Sequence, residues 1–197
     1  MKEGQLGRPP VVSRDQIITA ARAVFVKEGL TASIRDVAAV AGISEAAIFK
    51  RFSTKAALIV AAMAPPAPDI GNLLAPLDNP DLRAGLADTM ANVVAFFREM
   101  LPMTLPVAMQ PDVGLAAYVE EVGDNPAVAL NAELAARLTA LINAGRLHRL
   151  QPFAVAGLIV ATAHSLALFE IMGIHGGRSP PEVIRNMTDA IWFGVEP

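Results

Sequence analysis

Apolar side chains recur every three or four residues along most of this chain, and polar residues fill the positions between them. Between residues 14 and 28, for example, Ile17, Ala21, Val24 and Phe25 fall on one side of a helix. No stretch of useful length alternates apolar and polar residues as a half-buried strand does. The pattern therefore predicts an all-α protein.

Start and stop signals divide the first part of the chain into helices. Ser13 is a suitable N-cap for a helix over residues 14–28, and Gly29 follows at its end. Thr54 begins a later helix, which the prolines from residue 65 terminate because proline cannot continue a helix. These signals predict helices at both ends of a short N-terminal domain.

Two more helices are predicted between them, joined by a tight corner. Ser33 caps the first, with Asp36 in its first turn, where an acidic side chain is favoured by the helix dipole. Gly42 ends this helix because glycine readily adopts the left-handed conformation. Ser44 then caps a second short helix over residues 45–52.

Such a pair predicts a helix-turn-helix, whose second helix enters the major groove of DNA. Ile48 and Phe52 point to the core, so small and polar residues are exposed near the start of that helix. Flanking cations are placed to contact phosphates. The alternative is an ordinary three-helix packing unit with solvated charges. The DNA-facing residues are predicted to be Ser33, Arg35, Ser44, Glu45, Ala46, Phe49, Lys50, Arg51 and Lys55.

Residues 8–60 carry a set of residues at positions typical of one protein family. They are Arg14, Ile17, Ala20, Ala21, Phe25, Glu28, Gly29, Thr31, Ile34, Val37, Ala38, Ala41, Gly42, Ile43, Ser44, Phe49, Phe52, Lys55 and Leu58. With these residues the segment resembles the TetR family of transcriptional regulators. The resemblance implies a DNA-binding domain over residues 1–58 and an effector-binding and dimerisation domain over 59–197, linked by the helix that begins at Thr54.

Two residues depart from the family pattern. Phe49 stands where Tyr is common, so a phosphate contact from that hydroxyl is absent here. Arg51 stands where His is common, and an arginine there either strengthens a phosphate contact or reads guanine.

The rest of the chain reads as a helical domain. Residues 65–80 are rich in proline and are predicted to be a linker or irregular loop. A helix that starts at Asp81 is predicted to end near Leu101, because Pro102 and Pro106 follow. Later helices are predicted over residues 115–122, 126–144, 151–173 and 181–192.

Charge is unevenly distributed along the 197 residues. Residues 1–58 carry nine Lys and Arg against five Asp and Glu, whereas the remainder carries seven against fourteen. A basic N-terminal domain on an acidic body places the nucleic-acid surface at the N-terminal end. Because the basic excess is modest, high affinity is expected to need two copies of the domain.

Several other functions find no support in the sequence. No secretory signal opens the chain and no cysteine is present, so we expect a cytoplasmic protein without disulfides. The apolar run 150–169 is long enough to span a membrane, but it contains polar residues, and a buried interface helix fits it better. The three histidines are scattered without metal-ligand spacing, so no metal, cofactor or enzymatic activity is expected.

The C-terminal domain is interpreted as a sensor of a small, largely apolar effector. Its methionines are flexible enough to line an adaptable pocket, although plain core packing is the alternative for most of them. His164 is either a core histidine or a polar group facing the effector or the dimer seam. The predicted ligand-binding residues are Met90, Phe97, Met103, Met109, Tyr118 and His164.

The resemblance implies a homodimeric repressor that releases a palindromic operator when the effector binds. A helix-turn-helix regulator controlled by protein partners, without a small-molecule effector, is the alternative. The helix over 151–173 is apolar on nearly all sides, so it must be buried on all of them. With the last helix it is predicted to form the dimer interface, through Val155, Leu158, Thr162, Leu166, Phe169, Ile184, Met187, Ile191 and Trp192.

Overall fold

A computed structural model of the chain describes residues 12–65, 67–111, 113, 126–148, 151–174 and 176–195. The described residues form helices and turns, with no strand among them, which confirms the all-α prediction. The chain divides into two compact units. Met1–Ala64 and Val107–Val122 make up the N-terminal unit, and Pro65–Pro106 and Gly123–Pro197 make up the C-terminal unit.

Four helices, together with Val107 and Val113, form the described core of the N-terminal unit. Ile17, Val37, Ile48 and Leu58, one from each helix, are fully buried and pack in the same apolar cluster. The domain boundary predicted after residue 58 falls inside the fourth helix. The helices are α1 (Arg14–Glu28), α2 (Ile34–Ala41), α3 (Glu45–Phe49) and α4 (Lys55–Met63).

The C-terminal unit packs its helices around one large apolar cluster. Val93, Leu134 and Ile159 lie in it and are completely buried. The helices are α5 (Ile70–Leu74), α6 (Leu82–Ala108), α7 (Pro126–Asn143), α8 (Pro152–Ile171) and α9 (Pro181–Val195), with a 3-10 turn at Ala75–Asp78. The helix predicted over residues 115–122 lies outside the described residues.

The segment predicted to be an irregular linker is partly helical, so that prediction was wrong for residues 70–78. Asp69 caps α5, since its Oδ1 accepts a hydrogen bond from the Asn72 backbone N–H at 3.0 Å. Leu74 and Leu77 are buried in the core of the C-terminal unit. Burial of these two leucines favours ordered structure in a segment whose prolines suggest a loop.

Helix α6 was predicted to end near Leu101 but continues to Ala108, through Pro102 and Pro106. Both prolines are exposed, whereas Leu101 and Thr104 are buried. The carbonyls that lose their partners therefore lie on the side where water can bond them, and helices tolerate such losses better there. Burial of the opposite face outweighs the local preference to stop.

Gly85 marks a close approach between α6 and the preceding 3-10 turn. A Cβ at this position would lie 2.2 Å from the backbone oxygen of Pro76, too close for any side chain. We expect Gly85→Ala to lower the free energy of unfolding by about 1–3 kcal/mol, measured by chemical denaturation at fixed protein concentration, because the backbone must shift.

Gly157→Ala is the matched control, since the nearest atom to its Cβ would be Asn131 Oδ1 at 3.8 Å. This substitution should be neutral or stabilising, because alanine has the higher helix propensity. Equal stability of the Gly85→Ala variant and the parent protein would contradict the packing argument.

Candidate nucleic-acid interface

The corner between α2 and α3 has the geometry that the sequence predicts. The backbone N–H of Asp36 donates to Ser33 Oγ at 3.2 Å, and Asp36 Oδ2 accepts from the Ser33 backbone N–H at 3.0 Å. Gly42 ends α2 in the left-handed conformation, with φ 67° and ψ 30°. Ser44 then caps α3 by accepting from the Ala47 backbone N–H at 3.2 Å. Two fixed caps and a fixed turn therefore set the direction of α3.

The reciprocal hydrogen bonds between Ser33 and Asp36 form a capping box at the start of α2, and they also change the pKa of Asp36. Hydrogen bonds from the Ser33 hydroxyl, at 2.5 Å, and from its backbone N–H lower the pKa of Asp36, with a smaller contribution from Arg35. The carboxylate contributes stability above the ordinary Asp range, and this contribution is lost as the pH falls through the lowered value. The corner is therefore charged and intact at neutral pH.

Helix α3 presents the predicted DNA-facing side chains to solvent. Glu45, Ala46 and Lys50 are exposed, and Phe49 is 46% exposed despite its apolar ring. Ile48, on the opposite side, is completely buried. The helix itself ends at Phe49, earlier than the predicted residue 52, because the chain passes through a turn at residues 50–51.

The cations that are predicted to contact phosphate differ in their solvent exposure and in their hydrogen bonds to the chain's own carbonyls. Arg35 is exposed. Arg51 is only half-exposed, and its Nη1 approaches the Ala47 carbonyl at 3.4 Å. Lys55 Nζ donates to the Thr31 carbonyl at 3.1 Å, which fixes the ammonium beside the turn between α1 and α2. A lysine has three donors, so two N–H groups of Lys55 remain for phosphate.

Two arginines in the N-terminal unit pack near this surface, and their structural roles were not predicted from the sequence. The Arg14 guanidinium lies over the Phe52 ring, 4.9 Å from its centroid, just beyond α3. Arg22 Nε and Nη2 donate to the carbonyls of Ala62 and Ala64 at 2.6 and 2.9 Å. These bonds satisfy carbonyls at the end of α4, which lack partners within the helix. The sequence offers no local signal for either contact.

The predicted ligand-binding residues are only partly brought together. Met90 and Phe97 are buried in the core of the C-terminal unit, and His164 meets the Phe97 ring edge-on, with centroids 5.1 Å apart. Burial lowers the pKa of His164, so the imidazole is neutral at neutral pH. Met103 and Met109 are exposed, by 37% and 79%, and lie outside this core. Tyr118 lies outside the described residues.

The predicted interface residues divide into an exposed group and a buried group. Leu158 and Phe169 are exposed on α8, and Thr162 and Met187 line a shallow groove of about 320 Å³ between α8 and α9. The other residues lie deeper. Val155, Ile191 and Trp192 are half-buried against the chain's own core, and Leu166 and Ile184 are buried within it.

Leu166 and Ile184 therefore stabilise the core of a single chain, and Leu166 also lines the groove between α8 and α9. Leu166 and Leu158 are both predicted as interface residues because both are apolar positions of α8. An apolar helix does not show from its sequence which of its sides packs against the chain's own core. By length and composition alone α8 could cross a bilayer, but Ile159, Ala163 and Leu166 pack inside the C-terminal unit.

A buried ion pair joins α6 to the end of α8, and it was not anticipated. Arg98 Nε donates to Glu170 Oε2 at 2.8 Å, and Arg98 Nη2 donates to Glu170 Oε1 at 2.7 Å. The Ser179 backbone N–H donates to Oε1 at 2.8 Å. The Arg98 hydrogen bonds, first, and those from Ser179 lower the pKa of Glu170 to about 2. Its only signal in the sequence is one acidic residue within the apolar run 151–173.

Comparison with known proteins finds a matching protein family for part of the chain and solved structures with a similar fold. Residues 17–62 match the family model of the bacterial regulatory proteins of the tetR family. Among solved structures, a protein from Mesorhizobium loti MAFF303099, described as a TetR-family transcriptional regulator, is 19% identical with a TM-score of 0.67, over 93% of this chain and 96% of that one. No curated protein sequence matches the chain.

Two further structures share the fold over nearly the whole chain. The flavonoid-responsive regulator FrrA is 20% identical with a TM-score of 0.61, over 93% of this chain and 96% of its own. SmeT in complex with triclosan is 18% identical with a TM-score of 0.57, over 93% and 91%.

An N-terminal helix-turn-helix followed by a helical second unit defines a class of transcriptional regulators that bind DNA. Within that class, residues 17–62 match the TetR family, and the chain as a whole shares the fold of a structure described as a TetR-family regulator. The resemblance found in the sequence is thereby confirmed.

Proposed function

We propose that this protein is a homodimeric cytoplasmic repressor, which binds a palindromic operator and releases it when a small, largely apolar effector binds the C-terminal domain. It needs no metal or cofactor and catalyses no reaction. The two ligands are coupled because each one binds a different conformation of the dimer better.

The exposed face of α3 is the observation that carries this proposal. Glu45 and Ala46 are exposed on a short helix whose direction is fixed by the Ser44 cap and the Gly42 turn, and Lys50 is exposed immediately after it. Such a helix can enter the major groove with its N-terminal residues against the base edges. Arg35 and the remaining donors of Lys55 are assigned to phosphates, which position the protein without reading sequence.

Dimerisation is assigned to the side of α8 that exposes Leu158 and Phe169, called the open side below, and to the adjoining groove between α8 and α9. Leu158 and Phe169 are large apolar side chains exposed on one chain, by 53% and 37%. Pairing α8 and α9 with their symmetry mates buries this surface in a self-complementary interface. We expect a total buried area on the order of 2,000 Å² or more, as in stable homodimers. Two α3 helices then reach half-sites about one turn of DNA apart.

The effector is assigned to the apolar core around Met90 and Phe97. In this structure both side chains fill their own core, so an effector reaches them by displacing core side chains, which a flexible methionine permits. Neutral His164 beside Phe97 supplies a polar group at the edge of that core. Two proteins with the same fold are the flavonoid-responsive regulator FrrA and SmeT in complex with triclosan, and flavonoids and triclosan are both aromatic.

The test of DNA recognition uses the highest-affinity sequence selected from a random duplex library by the full-length protein. Arg35→Ala should weaken binding to all duplexes alike and flatten the dependence of log K on log salt concentration by about 1.8, because each of the two protomers loses one phosphate contact. Glu45→Ala and Lys50→Ala should instead alter the preferred bases. Fluorescence anisotropy over a salt series measures both effects.

Arg185→Ala is the matched control, because it removes an exposed cation from α9 in the other unit. It should leave both the slope and the base preference unchanged. Failure of the library to yield any preferred sequence would refute the proposal. If operator binding holds but no apolar metabolite stabilises the protein thermally at saturating dose, control by protein partners is the better account.

A further inference from the structure

A cleft of about 430 Å³ opens in the C-terminal unit, between α6, the end of α8 and the segment that leads to α9. Ala95, Ala167 and Ile171 form its apolar wall, and charged side chains form the rest of its lining. Small-molecule sites have volumes in this range and combine apolar walls with a few placed polar groups. DNA binding and dimerisation, as assigned above, leave this cleft unused.

Hydrogen-bonding capacity in the cleft is strongly biased towards donors. Both oxygens of Glu170 are taken by Arg98 and Ser179. Within the described part of the chain, Arg98 Nη1 has no partner, because Arg98 bonds only through Nε and Nη2. Arg178 also lines the cleft and forms no hydrogen bond or ion pair with any described residue. Two guanidinium groups therefore have donors available for a ligand.

Only Glu99 opposes this bias. It lines the cleft, is exposed, and among the residues described it has no hydrogen-bond or ion-pair partner. A cationic ligand would have this one exposed carboxylate as its partner and two guanidinium groups against it. An anionic ligand would have both guanidinium groups as partners and Glu99 against it. Since planar guanidinium groups match carboxylates with paired hydrogen bonds, the balance favours a carboxylate.

We propose that this cleft binds a small organic carboxylate with an apolar body. Arg178 and Arg98 Nη1 bind the carboxylate, and the apolar body packs against Ala95, Ala167 and Ile171. The buried Arg98–Glu170 pair holds the Arg98 guanidinium in place before the ligand arrives, which reduces the entropy lost on binding.

The cleft stays accessible in the dimer proposed above. Ala167 follows Leu158 by nine positions, which places it about 180° around α8. The open side of α8 that is assigned to the partner chain is therefore opposite the side that lines the cleft. A ligand can enter the cleft while the dimer is intact.

Calorimetric titration of the full-length protein without DNA tests the proposal, at constant ionic strength, with benzoate, hexanoate and neutral benzamide as probes. At least one of the two carboxylates should bind saturably, and about tenfold or more tighter than benzamide, as charge-assisted hydrogen bonds require. Arg178→Gln should weaken binding by a similar factor. Glu99→Gln should tighten it several-fold, because a like charge is removed.

Arg185→Gln removes a cation outside the cleft and should not change binding. The proposal is overturned if neither carboxylate binds saturably at millimolar concentration, or if benzamide binds equally well. It is also overturned if Arg178→Gln leaves the affinity unchanged. Because no DNA is present, failure here does not affect the proposed operator binding, which the duplex selection tests separately.

Discussion

Leu158→Glu is expected to convert the dimer into a folded monomer that no longer binds its operator tightly. Leu158 is 53% exposed on a single chain, so a carboxylate there leaves the fold of one protomer intact. In a self-complementary interface each substitution occurs twice, and each buried, unpaired charge costs several kcal/mol. Light scattering after size exclusion should show the monomer mass, and anisotropy should show operator affinity reduced by at least about a hundredfold.

Phe153→Glu is the matched control on the same helix. Phe153 is 67% exposed but precedes Leu158 by five positions, which places it about 140° around α8 and away from the open side. It should remain a dimer with unchanged operator affinity. Ala161→Arg, also on the exposed side of α8, should behave like Leu158→Glu. If Leu158→Glu and Ala161→Arg both form dimers of normal stability, the interface lies elsewhere.

The N-terminal unit could be predicted closely because its signals are local. Ser13, Ser33 and Ser44 each bond a backbone N–H three residues later, so the capping residue and the helix start are adjacent in the sequence. Gly42 likewise fixes its turn through its own φ. The residues exposed on α3 follow from helical spacing once these ends are known.

The C-terminal unit could be predicted less well because distant contacts decide it. Pro102 and Pro106 suggest a helix end, yet burial of the opposite face of α6 keeps the helix continuous. Burial of Leu74 and Leu77 in the core likewise favours helical structure in a segment whose prolines suggest a loop. A helix apolar on all sides, such as α8, gives no sequence signal for which side meets its own core, so the burial of Leu166 within a single chain could not be predicted.

The Arg98–Glu170 pair shows the same limit, because 72 residues separate its members in the sequence. It joins α6, α8 and the backbone just before α9 through Ser179. The pair therefore sets where α8 and α9 lie, and these are the two helices assigned to the dimer interface. Its effect on stability is expected to exceed that of any other ion pair described in the chain.

Arg98→Met should lower the free energy of unfolding by about 3–5 kcal/mol, because it leaves the Glu170 carboxylate buried without its cation. The side chains of this pair are only 17% and 8% exposed. Arg83→Met on the same helix is the matched control. Arg83 pairs with Asp189 at 2.8 Å, but these side chains are 50% and 37% exposed, so the cost should be at most about 1 kcal/mol. Chemical denaturation at fixed protein concentration measures both values.

Two further variants separate the charge from the shape of the pair. Arg98→Met combined with Glu170→Leu should be more stable than Arg98→Met alone, because no unpaired charge remains.

The stability of Glu170→Gln should differ from that of the parent protein by an amount that depends on pH. The pKa of Glu170 is lowered from 4.5 to about 2, so its carboxylate stabilises the fold above pH 4.5 and this contribution disappears as the pH falls towards 2. The stability difference should shrink over that window, and a constant difference would show that the charge of Glu170 contributes nothing.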